Sequence, residues 1–135
     1  MSSQVRGYTY GVFDLFHVGH VRILQRAKGL CDYLVVGVFT DDVAAGFKRK
    51  PIIPLAERVE ILKSIKFVDK VVPQDAFSPE ENIKDFKIDV VCKASGAGWE
   101  KDNYPKFPGT KSIFLPYREG VSTTNIIKRC HDSIK

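Results

Sequence analysis

From Tyr10 to His20 the chain reads Tyr-Gly-Val-Phe-Asp-Leu-Phe-His-Val-Gly-His, a stretch that holds two of its three histidines. His17 and His20 are three apart, so a helix begun by His17 puts both imidazoles on one face. The free N–H groups of a helix N-terminus favour phosphate. Imidazole donors beside them can stabilise charge growing on phosphate oxygens. Gly11 lets backbone approach a bulky anion with no Cβ in the way, and Gly19 keeps the first turn free of side-chain bulk. This pattern points to phosphate handling. The competing reading is a pair of structural hydrogen-bonding histidines. Zinc does not fit, because two histidines need further ligands and no HExxH or Cys pair supplies them.

The elements that must hold this stretch follow from hydrophobic spacing. Val5 to Tyr10 is a β-rich run ending at Gly11. Val21, Ile23, Leu24, Ala27 and Leu30 fall near helical intervals. Leu34 to Phe39 is a continuous apolar run, as a strand buried on both faces should be. Pro51 and Pro54 break the chain, and Val59, Ile61, Leu62 and Ile65 then mark a second helix. Val68 to Val72 reads as a strand closed by Pro73. Ser78-Pro79-Glu80-Glu81 starts a helix with a cap, a proline and first-turn acids. Ile88 to Cys92 and Ser112 to Leu115 are two more strands, and Val121-Ser122-Thr123-Thr124 caps a last helix. Strands alternating with helices predict an α/β, doubly wound parallel sheet of Rossmann-like type, with helices on both faces. Ligands of such sheets bind beyond the carboxyl ends of the strands where strand order reverses, which selects the turn from Gly11 to His20.

Composition sets the limits. The chain has 135 residues, 44% of them hydrophobic, which suits one domain over 1–135 and excludes disorder. No apolar run is long enough to cross a bilayer, and Met1 to Arg6 lacks a signal-peptide core, so the expected location is cytoplasmic with no membrane partner. A net charge of +5 favours anionic partners. Nucleic acid is not among those expected, since the basic residues do not interleave with aromatics in a strip. Three cysteines with no CxxC pair read as reduced thiols. Lys48-Arg49-Lys50, bordered by Gly46 and Pro51, is the one tight basic cluster.

Gly-Val-Phe-Asp followed by His-x-Gly-His resembles the signature of the HxGH nucleotidyltransferase superfamily. Its nearest members are the cytidylyltransferases that activate glycerol-3-phosphate, phosphoethanolamine and phosphocholine. The likeness continues through Arg26-Ala-Lys28, Asp32 to Val38 with Thr40-Asp41-Asp42, Glu57-Arg58, Val68-Asp69 and Glu119-Gly120-Val121-Ser122-Thr123-Thr124. It implies transfer of CMP from CTP to a small phosphorylated alcohol or amino alcohol. A phosphate oxygen attacks the α-phosphorus and pyrophosphate leaves, with no covalent enzyme intermediate. Positioning and charge neutralisation dominate such reactions. Alternatives are an adenylyltransferase using ATP on a phosphorylated cofactor precursor, or a nucleotide-binding sensor without turnover.

The resemblance also implies roles. His17 and His20 contact the triphosphate, while Tyr10, Gly11, Val12, Phe13 and Gly19 surround it and Asp14 organises the loop. Mg²⁺ bridges the phosphate oxygens. A lysine of the basic loop, Lys48 or Lys50, reaches the phosphates, and Lys50 joins Arg118 among the catalytic groups. Ser122, Thr123 and Thr124 cap a helix and close on the triphosphate. Arg58 is either an exposed helix residue or a substrate-phosphate contact; Lys66, Trp99 and Tyr117 fall on the substrate side. Family members are commonly dimers, which places a homodimer contact around Glu57 to Asp69. Three departures stand out. The usual Arg-Thr-x-Gly reads Tyr117-Arg118-Glu119-Gly120, the acids of Gly-Asp-Asp-Trp are missing before Trp99, and Lys66 replaces an arginine.

Overall fold

The computed structural model describes residues 4–94, 109–115 and 122–134. Its framework is one parallel sheet of five strands. These are β1 (Arg6–Gly11), β2 (Tyr33–Phe39), β3 (Lys70–Gln74), β4 (Val90–Ala94) and β5 (Lys111–Leu115). Their spatial order is β3-β2-β1-β4-β5, with every pairing parallel. The chain lays β1, β2 and β3 outward on one side, then returns to place β4 and β5 on the other. Strand order therefore reverses beside β1, and a crevice opens beyond its carboxyl end.

Alternation along β1 and β2 sends successive side chains to opposite faces. Tyr8, Tyr10, Val35 and Phe39 join one core, and Leu34, Val36 and Val38 join the other. The helices α1 (Val18–Lys28) and α3 (Leu55–Lys63) add Leu24, Ala27 and Leu62 to the second core. On the first, α2 (Asp41–Phe47) and α4 (Glu80–Asp85) contribute Ala44 and Ile83. A last helix, α5 (Thr123–Ser133), buries Thr123.

One element escapes the sequence reading and two expectations need correction. First, Asp41–Phe47, between β2 and the basic cluster, is helical, capped by Thr40 Oγ1 accepting from Val43 N at 3.4 Å, so that Gly46 lies inside a helix while Lys48-Arg49-Lys50 follow it. Seven residues with one buried side chain leave almost no periodic signal. Second, Pro73 does not close the third strand but lies inside β3, paired in register with Val38. β3 is an edge strand, where a residue without an N–H is tolerated. The start of α4 also differs from the expected cap: Pro79, not Ser78, is the N-cap and has no side-chain capping bond, while Ser78, one residue further out, accepts from Glu80 N through its Oγ at 3.3 Å.

The amino ends of the strands are tied down by aspartates, leaving the carboxyl ends for binding. Asp32 accepts from Val5 N, Asp69 from Leu34 N and Asp89 from Arg6 N. In the sheet interior, the Tyr8 hydroxyl donates to Gln74 Oε1 at 2.6 Å and accepts from Asn82 Nδ2 at 3.0 Å. Burial pushes this phenol's pKa up, so it stays a neutral donor. Gly37 makes room for it, since a Cβ there would overlap the Tyr8 hydroxyl. Gly37→Ala is expected to cost about 2–4 kcal/mol of unfolding free energy, combining overpacking with a disturbed buried hydrogen bond. Denaturant melts of the variant check this; an unchanged midpoint would refute it.

Candidate active site at the carboxyl end of β1

After Gly11 the backbone turns sharply. Phe13 and Leu15 both adopt positive φ, at 55° and 48°, a conformation that costs non-glycine residues about 1–3 kcal/mol each. Tertiary contacts hold them there. Asp14, buried, accepts from Ile52 N at 2.8 Å and Ile53 N at 2.9 Å, pinning the β1 loop to the chain ahead of α3. Arg58, 1% exposed, donates to the carbonyls of Val12, Phe39 and Ile53, each at 2.8 Å, and to Asp41 Oδ1 at 2.6 Å. The sequence placed Arg58 on an exposed face or on a substrate phosphate. It is instead a buried strut, because those three carbonyls and the Asp41 carboxylate occupy its guanidinium.

The two histidines cap α1 reciprocally. His17 Nδ1 accepts from Gly19 N and His20 Nδ1 accepts from His17 N, both at 3.1 Å. Their rings stack with centroids 3.8 Å apart, and Phe13 and Phe16 flank His20 with centroids at 5.3 Å. A nitrogen that accepts carries no proton, so each neutral ring has its proton on Nε2. Burial lowers the His20 pKa to about 3, aided by His17 and the Lys48 charge. Burial and Lys48 lower that of His17 as well. Both rings are therefore neutral Nε2–H donors at pH 7. His17 Nε2 lies 3.4 Å from Thr123 Oγ1, whose hydroxyl donates to Asp14 O at 2.9 Å. This chain fixes the start of α5 over the β1 loop. Ser122 caps α5 by accepting from Asn125 N.

A cleft of about 290 Å³ lies over these groups. Of the residues singled out in the sequence, Tyr10, Gly11, Val12, Phe13, Asp14, His17, Gly19, His20, Lys48, Ser122 and Thr123 line it. Lys48 faces the cleft whereas Lys50 is exposed outside it, which separates the two lysines. Thr124 is off the lining but accepts from Arg49 Nη1 at 3.5 Å. Lys66 is not in this cleft; it is exposed near the amino end of β3, its Nζ 5.2 Å from the Phe67 ring centroid. Trp99, Tyr117 and Arg118 lie outside the described residues.

Sequence reasoning missed several lining residues. Arg22, Ile23 and Arg26 share the face of α1 that starts at Gly19, an i, i+3, i+4, i+7 row that helical spacing could have exposed. Arg49 lines the cleft with its Nε buried and without a hydrogen-bond partner among the described residues. Lys93 donates to Tyr10 O at 2.6 Å and lies 4.2 Å from the Tyr10 ring centroid. Phe39, Phe47 and Phe77 also line the cleft, with no motif to mark them. Five cationic side chains thus face one buried carboxylate, Asp14, whose oxygens hold two amides. Among the described residues no three His, Cys, Asp or Glu gather to hold a metal ion. The arrangement is chemically suited to a polyphosphate.

The family model described as "Cytidylyltransferase-like" matches residues 8–129. Glycerol-3-phosphate cytidylyltransferase of Bacillus subtilis is 40% identical over 123 residues, covering 87% of this chain and 91% of that protein. The Staphylococcus aureus enzyme of the same name is 34% identical, covering 90% and 91%. Among solved structures, a lipopolysaccharide core biosynthesis protein from Thermoplasma volcanium superposes with a TM-score of 0.72 at 22% identity. It covers 87% of this chain and all of its own, and shows the shared fold.

The neutrality of His20 has a measurable consequence. An unfolded histidine has a pKa near 6.5, so between about pH 3 and that value the unfolded chain binds the extra proton. The stability due to a neutral His20 is complete above the unfolded value and is lost as pH falls towards the folded one. Unfolding free energy is expected to rise with pH across this window, by about 1 kcal/mol per pH unit at the steepest. His20→Gln should flatten that rise, and nitrogen NMR should find Nε2 protonated in both rings at pH 7.

Proposed function

The chain belongs to the cytidylyltransferase-like family, and on that premise we propose that it transfers CMP from CTP to a small phosphorylated alcohol. A phosphate oxygen of the acceptor forms a bond to the α-phosphorus as the bond from that phosphorus to the bridging oxygen breaks, and pyrophosphate departs. No side chain need become covalently attached, because the reaction depends on alignment and on neutralising charge. The names of the two bacterial relatives support the nucleotide and the acceptor class. The observation that carries the reading is the stacked pair of neutral imidazoles at the N-terminus of α1. With both Nδ1 atoms capping the helix, the protonated Nε2 atoms are the rings' donors for phosphate oxygens.

The cations divide the remaining work. Lys48 and Arg49 come from the chain after α2, and Arg22 and Arg26 from α1, so they approach a triphosphate from two sides. Arg49 is the cation for which the structure gives the sharpest reason. Its buried Nε, unpartnered among the described residues and beside the cleft, suits an anionic oxygen, since an unsatisfied buried donor is costly. Magnesium would arrive on the nucleotide's own oxygens, as it commonly does at phosphate sites. The Asp14 carboxylate does not supply a ligand in this reading, because both its oxygens accept from amides. We place a homodimer contact on the surface from 57 to 69, by family likeness. Among the described residues no helix is long and apolar enough to cross a membrane.

Pyrophosphate release across CTP, ATP, GTP and UTP, each with a panel of phosphorylated alcohols, tests the reading. CTP is expected to be the one strong donor; preference for ATP, or tight binding of CTP without turnover under any acceptor, would overturn it. His17→Ala and His20→Ala are each expected to lower kcat by about 10² or more, the usual cost of a lost transition-state donor. Near-normal turnover in either variant would remove that residue from the catalytic set.

A further inference from the structure

The connection from β3 to α4 runs past the edge of the cleft. Asp75, Ala76, Phe77 and Ser78 are exposed, while Gln74 before them and Pro79 after them are buried. Phe77 nevertheless lines the cleft. Its ring lies 9° from parallel to that of Phe39, with centroids 6.0 Å apart, and it meets Phe47 edge-on at 5.1 Å. The three rings make one wall. Exposed connections are ordinarily the most mobile parts of a fold, so a ring carried on one needs its backbone held.

The side chain of Gln74, 2% exposed at the end of β3, does this. Its Nε2 donates to Ala76 O at 3.0 Å and to Phe77 O at 3.2 Å, which commits both N–H groups to the segment that carries the ring. Its Oε1 accepts from the Tyr8 hydroxyl at 2.6 Å. Exchanging the two ends of the amide would set Oε1 against carbonyls, which only accept. The Tyr8 proton has one direction as well. Asn82 Nδ2 donates to Pro73 O at 3.2 Å, which identifies the nitrogen end of that amide, and it also donates to the Tyr8 hydroxyl at 3.0 Å. The phenol therefore accepts from Asn82 and spends its single proton on Gln74, and burial keeps it protonated. Polarity runs one way, from Asn82 on α4 through Tyr8 on β1 to Gln74 and the backbone at Phe77. Reversing any member unpairs its neighbours where the dielectric is low, so such a chain is stiff.

We infer that Gln74 is a positioning residue for the cleft: its side-chain amide, oriented through Tyr8 and Asn82, holds the 75–77 segment so that the Phe77 ring stands in the wall. This rests on the transferase reading above. Gln74 is not among the residues that line the cleft, and it acts through Phe77. Tyr8 belongs to the first core, whereas α1, which starts at the histidines, packs on the second. Releasing the segment therefore weakens substrate binding and leaves the reacting groups in place.

Gln74→Met and Gln74→Glu test this. Methionine fills the space without a donor. Glutamate can still accept from Tyr8, but only its protonated form has a hydrogen for a loop carbonyl, and burial favours that form. With CTP and the acceptor that gives the fastest pyrophosphate release, Gln74→Met is expected to raise the KM for at least one substrate about tenfold and to keep kcat within about threefold, two hydrogen bonds being lost. Gln74→Glu should show the same rise at about pH 8.5 and lose most of it at about pH 6, each measured against the unaltered protein at that pH. Phe77→Ala should raise the same KM, and adding Gln74→Met to it should change that KM no further. Tyr8→Phe, which removes one hydroxyl, should move it in the same direction by about threefold and carries the test if a Gln74 variant does not fold. Chymotrypsin cleavage after Phe77, followed by mass spectrometry on protein that is folded by circular dichroism, should be about tenfold faster in Gln74→Met or Tyr8→Phe. Additive KM effects, a fall in kcat at unchanged KM, or an unchanged cleavage rate would overturn the positioning role and leave the transferase reading standing. Absence of pyrophosphate release from the unaltered protein with every nucleotide and acceptor would overturn the transferase reading and with it the effect on KM, whereas the cleavage rates, read without turnover, decide by themselves whether Gln74 holds the segment.

Discussion

A permanently charged guanidinium in the protein interior must be surrounded by acceptors, and at Arg58 that requirement organises the carboxyl end of the sheet. Its four partners are the carbonyls of Val12, Phe39 and Ile53 and the carboxylate of Asp41. They belong to the β1 loop, the end of β2, the turn before α3 and the start of α2. Asp14 answers from the β1 loop by holding the amides of Ile52 and Ile53. Together the two residues prevent these segments from moving independently, and every cleft residue on the β1 and β2 side is positioned relative to them. The strained backbones of Phe13 and Leu15 persist because this clamp over-determines them.

On that frame, the histidines work without formal charge. Burial and neighbouring cations keep the imidazoles neutral, which leaves each Nδ1 free to accept from backbone and commits each proton to Nε2. An imidazolium would lose its acceptor, and with it the cap that sets the ring's orientation. Positive charge is delegated instead to lysines and arginines around the cleft. Fixed Nε2–H donors at the start of α1, with cations around the same cleft, are an arrangement that can stabilise charge developing on phosphate oxygens. The hydroxyl of Thr123 joins the last helix to this arrangement through Asp14 O, so distant ends of the chain meet over one loop.

The cleft is also uneven across its width, and the unevenness comes from topology. Strand order β3-β2-β1-β4-β5 puts β1 at the centre and gives each flank a different set of loops. One flank carries rings without polar atoms, and the other carries Lys93 and a capped helix start.

Much of this was legible in residue order alone. Alternating runs announced a parallel sheet with helices on both faces, and the histidine pair with its glycines marked a turn that lines the cleft, because periodicity and capping act within a turn or two of chain. Ser122 as a cap was readable for the same reason. Helix α2 was not, having seven residues and one buried side chain, and Pro73 looked like a stop because nothing local says that a strand lies at an edge. Arg58 looked like a surface residue or a ligand contact since helical spacing cannot tell which acceptors will converge on it. Arg49, and the wall of Phe39, Phe47 and Phe77, arise only when segments far apart in sequence are brought side by side. Short-range patterning decided which elements form and which turn carries the paired histidines; the order in which strands lie side by side decided which side chains share the cleft, because that proximity is a property of the assembled sheet and of no single stretch of chain.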